Sequence, residues 1–159
     1  MFKQSLSKQL KAVIIGMAVC GALIYFWAFP TIGHMIVQSY PETQSYYFPW
    51  LIFLWISGIP CYLVLCLMWQ IAKSIAENKA FSFENSKRFR KISVLAISDT
   101  IFFFVGNIIL LLMNMNHPSI VLCSMGVVFA GITIAVISKA FAHLADQAAQ
   151  LQEQSDLTI

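Results

Sequence analysis

The sequence predicts an all-α membrane protein: four transmembrane helices in two hairpins, both termini cytoplasmic, with the third and fourth helices extending into the cytoplasm. Three observations carry that expectation. Four apolar runs, residues 12–29, 48–71, 92–113 and 120–138, approach or exceed the roughly 18 residues that cross a hydrocarbon core about 30 Å thick. All ten Lys and Arg residues fall before or at the start of the first run, between the end of the second and the start of the third, or at Lys139. The apolar pattern of the fourth run then continues past Lys139 at heptad spacing.

Hydrocarbon offers no water to satisfy backbone N–H and C=O groups, so runs of this length must be helical. With 59% hydrophobic and 11% charged residues, against roughly a quarter charged in soluble domains, the composition excludes an ordinary soluble fold. Lys and Arg mark cytoplasmic loops, so the N-terminus, the loop 72–91 and the tail 139–154 share the cytoplasmic side of a bacterial inner membrane. One four-helix transmembrane domain spans 1–159. The net charge of +3 is a topology signal, and direct nucleic-acid binding is not expected from basic groups held so close to a bilayer.

The first run follows Lys3, Lys8 and Lys11, as a signal peptide would, but it exceeds a typical apolar core of about 7 to 15 residues and meets Trp27, Ala28, Phe29 and Pro30 rather than a cleavage site. It reads as an uncleaved anchor. Ala12, Gly16 and Cys20 place small side chains on one face for close helix packing, and Pro30 and Gly33 predict a kink within a helix that continues to about Tyr40. The connection 39–47 carries turn residues, and Tyr40, Tyr46, Tyr47, Trp27 and Trp50 form an aromatic belt. His34, His117 and Glu42 could ligate zinc only by converging, since their spacing matches no ligand pattern.

Gly58 and Pro60 predict a kink in the second span, read as a packing device. Cys20, Cys61, Cys66 and Cys123 all lie in apolar runs and read as packing residues. In the central loop Ser82 is the expected N-cap, with Glu84 in the first turn, of a basic extension of the third helix. Phe81, Phe83 and Phe89 beside the charges suit a membrane surface or a partner equally well. Asp99 lies roughly 10 Å inside the core at 1.5 Å per residue, where a carboxylate is costly and should face protein. Lys139 is a candidate partner for it, and a hydrogen bond to a neighbouring hydroxyl is the alternative. Gly126, Ala130, Gly131 and Ala135 offer close-packing positions on the fourth span. Beyond it, Ile134, Ile137, Phe141, Leu144, Ala148 and Leu151 form a stripe that requires a cover: the loop, the N-terminal lead, a second copy or another protein.

The central Phe81, Ser82, Glu84 and Asn85 and the terminal Asp156, Leu157, Thr158 and Ile159 together resemble the bacterial DUF2975 family of four-span membrane proteins of unknown function. Genes of that family commonly sit beside one for a Cro/C1-type helix-turn-helix regulator. The resemblance therefore implies that these eight residues bind a cytoplasmic partner of that kind. The resulting expectation is a membrane-anchored regulatory or interaction protein. A small oligomeric transporter or channel using Asp99 is the alternative. No cofactor is expected and no enzyme, because no nucleophile stands with a base and no carboxylates pair within a span.

Overall fold

The computed structural model describes residues 2–77 and 79–156, with the side chains of residues 2, 3 and 156 outside that description. The first span consists of α1 (Phe2–Leu23), a π-helical turn (Ile24–Ala28) and α2 (Phe29–Ser39). A 3-10 turn (Pro41–Thr43) leads into α3 (Gln44–Ala76), and α4 (Phe83–Leu112) and α5 (Pro118–Asp156) complete the chain. Each of the four spans is long and apolar enough to cross a membrane. Each also outruns its apolar segment: run 48–71 sits in a helix covering 44–76, and the expected connection 39–47 shrinks to 40–43.

In the first span the interruption lies one turn before Pro30, not at it. Phe29 N–H donates to Ile24 O, five residues back. In that register Pro30 would have to serve the Tyr25 carbonyl, but proline has no N–H. The indole of Trp55 on α3 supplies the missing donor, with Nε1–H to Tyr25 O at 3.1 Å. Pro49 and Pro60 both lie inside α3, which continues through them.

The four spans form an open row rather than a closed bundle. Among the described residues, backbones approach closely only between chain neighbours: the first span against α3, α3 against α4, and α4 against α5. The expected small-residue face of α1 is not an interface, for Ala12, Gly16 and Cys20 are exposed and Gly16 faces open space. The helix turns instead on Ser7, Ile14, Ala18 and Gly21. Ser7 Oγ–H donates to Ala72 O at 2.6 Å, and Tyr62 O–H donates to Ala18 O at 2.9 Å. Two hydrogen bonds between α1 and α3 therefore choose the face, outweighing the modest gain of small residues in lipid.

The α4–α5 hairpin is the closest pair. Gly131 lets α5 approach Thr100, where a Cβ would overlap the threonine hydroxyl. Gly126, by contrast, meets nothing, so only the second expected small pair sits at a contact. At the far end of the hairpin α4 stops in a Schellman motif. Asn114 takes φ 55°, Asn114 N–H donates to Leu111 O, and Met115 N–H donates to Leu110 O. His117 caps α5 through Nδ1, which accepts from Ser119 N–H at 3.3 Å, with Pro118 at the first helical position.

Candidate functional site

The central motif has a structural cause for each residue. Ser82 is extended (φ −131°, ψ 154°) and its Oγ accepts Asn85 N–H, so it caps α4 as expected. Glu84 stands in the first turn, favoured by the helix dipole, and forms an ion pair with Arg88 one turn on. Asn85 is fully buried. Its Nδ2 donates to the carbonyls of Lys79 and Ala80 at 3.0 Å each, and its Oδ1 accepts from Arg88 at 2.7 Å. Arg88 also donates to Ser74 Oγ at 2.8 Å, joining α3 to α4.

Asn85 thus ties the loop down from inside. Phe81, 62% exposed, and Glu84, whose side chain is also exposed, are the motif residues that present themselves outward. The link from Arg88 to Glu84 was legible as an i,i+4 pair of opposite charge, whereas Ser74 became visible only once the chain turned back.

Beyond the apolar part of the hairpin, α4 and α5 run on together. Ser86 Oγ–H donates to Ala142 O at 2.9 Å and the rings of Phe89 and Phe141 stack at 5.6 Å, continuing a contact that begins inside the apolar part with Ser93 Oγ–H donating to Ala135 O at 2.8 Å. Arg90 pairs with Asp146. The face of α5 that meets α4 is a ridge of alanines, Ala135, Ala142, Ala145 and Ala149, all buried. Small side chains admit close approach, so α4 covers that ridge and touches the stripe of large residues through Phe89 on Phe141, leaving it largely exposed. Phe141, Leu144 and Leu151, all past Lys139, are 50%, 53% and 67% exposed. Lys87, Arg90 and Lys91 on α4 are exposed as well. Asp156 ends α5, with its side chain outside the described residues, and Leu157, Thr158 and Ile159 lie outside them altogether.

A second polar cluster sits inside the row. Asp99 on α4 faces α3, where Cys61 Sγ–H donates to Oδ2 at 4.0 Å; its Oδ1 is buried without a hydrogen-bond partner. The ring of Tyr25 lies alongside, over Gly58, where an added Cβ would stand 3.1 Å from it. Lys139 is exposed on α5 and does not join Asp99; the ion pairs among the described residues are those of Arg88 and Arg90. α4 turns its carboxylate toward α3, whereas α5 lies on its other side. His34 lies tilted against Tyr47 with ring centroids 4.8 Å apart, and no three metal-ligating side chains gather among the described residues.

Residues 31–159 match a family model described as a protein of unknown function (DUF2975). The chain is also 25% identical over 149 residues to the uncharacterized membrane protein YoaS of Bacillus subtilis (strain 168), covering 92% of each sequence. No solved structure matches it.

Proposed function

The chain belongs to the DUF2975 family, and from that premise we propose a membrane-anchored regulatory protein that docks a cytoplasmic partner on the exposed end formed by α4 and the tail of α5. One observation carries the reading. Phe141, Leu144 and Leu151 extend the apolar stripe of α5 beyond Lys139, and the intramolecular cover goes mainly to the alanine ridge instead. Large apolar side chains in water mark interaction surfaces. Exposed Lys87 and Arg90 would give that surface a basic margin suited to an acidic patch on the partner. The candidate partner is a Cro/C1-type helix-turn-helix regulator, and the setting is a bacterial inner membrane with both termini cytoplasmic.

The test is binding of purified regulator from the neighbouring gene to the full chain in nanodiscs. A Phe141→Ala, Leu144→Gln, Leu151→Gln variant is expected to bind at least about tenfold more weakly while inserting normally, as loss of apolar contacts at an interface centre costs more than about 1.4 kcal/mol. A chain ending at Gln154 isolates the terminal residues. Unchanged binding in both variants sinks the reading.

A transport role through Asp99 is the second reading, favoured by the unpartnered Oδ1 beside Cys61. Asp99→Asn in proteoliposomes must alter flux; absence of flux in both forms rules it out.

A further inference from the structure

Between α3 and α4, at the end of the row that carries the basic residues, lies an open groove of about 520 Å³. That volume falls within the roughly 300–1,000 Å³ of small-molecule sites. α3 lines it with Leu63, Cys66, Leu67 and Gln70, at the i, i+3, i+4, i+7 spacing of one helix face. α4, running the other way, lines it with Arg90, Lys91, Val94 and Leu95. Gln70, Arg90 and Lys91 therefore share one end of the groove, and the leucines and valine extend from it into the apolar part of the row. At 1.5 Å per residue, Gln70 and Leu63 stand about 10 Å apart along α3.

The polar end sits at head-group depth. Lys11 Nζ stands 5.4 Å from the ring centroid of Trp69, the residue before Gln70, and tryptophan settles where hydrocarbon meets the polar layer. Among the described residues no Asp or Glu lines the groove. Lys91 is exposed and makes no ion pair among them. Arg90 pairs with Asp146 through one nitrogen, which leaves a guanidinium further N–H donors. A neutral occupant would leave these cations unanswered, and a soluble anion would leave the apolar length of the groove empty.

We propose that this groove binds one anionic phospholipid, its phosphodiester on Lys91 and Arg90 and one acyl chain along Leu63, Leu67 and Leu95. Basic pockets between membrane helices recognise lipid head groups by the same combination of charge and apolar wall. Arg90 also borders the docking surface, so Lys91 carries the test, and the inference stands whether or not that surface binds a protein.

Native mass spectrometry of the full chain in detergent micelles, supplied with equimolar dioleoyl phosphatidylglycerol and dioleoyl phosphatidylcholine, tests the proposal. One phosphatidylglycerol is expected to be retained about tenfold more than phosphatidylcholine, as a charge-assisted contact is worth. Lys91→Gln should lower that preference at least about threefold. Lys8→Gln, which removes an exposed charge at the same end of the row but outside the groove, should leave it intact. Should Lys91→Gln fail to fold, Leu67→Trp decides instead, since it fills the apolar part without changing charge and must lower phosphatidylglycerol retention as much. Glycerophosphoglycerol, the head group without chains, should not displace the lipid at equal concentration. Equal retention of the two lipids, equal losses in Lys8→Gln and Lys91→Gln, full retention in Leu67→Trp, or displacement by glycerophosphoglycerol overturns the proposal.

Discussion

Trp55 Nε1–H reaches across from α3 to the carbonyl of Tyr25, in the π turn that precedes Pro30. The bond answers a backbone defect created by a proline five residues along, so its loss leaves an unsatisfied carbonyl in an apolar medium. Trp55→Phe is expected to cost about 1–2 kcal/mol in detergent-denaturation equilibria. Pro30→Ala restores a local donor and should recover part of that, with a coupling of roughly 0.5–1 kcal/mol in the double-mutant cycle. Strict additivity would show that the indole serves no such role.

Asn85 satisfies two loop carbonyls and orients Arg88. Asn85→Ala is expected to destabilise by about 1–3 kcal/mol and to open the segment 79–82 to limited proteolysis. Glu84→Gln, which removes only an exposed i,i+4 pair, should cost no more than about 0.5 kcal/mol.

Gly131→Ala forces a methyl group into the Thr100 hydroxyl. The expected loss is about 1–3 kcal/mol. Thr100→Ala should relieve it, because the opposing oxygen is gone. Gly126→Ala, in open space, is the comparison and is expected to leave thermal stability of the detergent-solubilised protein unchanged.

Asp146 lies beyond Lys139, where the neighbouring Ser86 hydroxyl, and then Arg90, hold its carboxyl below the ordinary carboxylate range. A pKa lowered by folding contributes stability above the unfolded value, about 3.9 for Asp. That contribution is lost as pH falls through the folded value. Hydrogen-exchange protection in residues 142–149 should therefore fall on acidification below roughly pH 4. Asp146→Asn is expected to flatten that pH response; an identical response in the variant would assign it to another group.

The sequence by itself determined whatever depends on local chemistry: four helices, because no other structure satisfies its backbone in lipid over such lengths, and the start of α4, because Ser82 and Glu84 act within one turn. Its family signature was legible for the same reason, being two short contiguous motifs. What only the tertiary structure decided were choices among faces. Ala12, Gly16 and Cys20 had the pattern of an interface, but the hydroxyls of Ser7 and Tyr62 found carbonyls across α1 and α3 and turned another face inward. Asp99 met Cys61 instead of Lys139 because α3 and α5 lie on different sides of α4. Periodicity identifies the faces of a helix; which face is buried is set by partners distant in the chain.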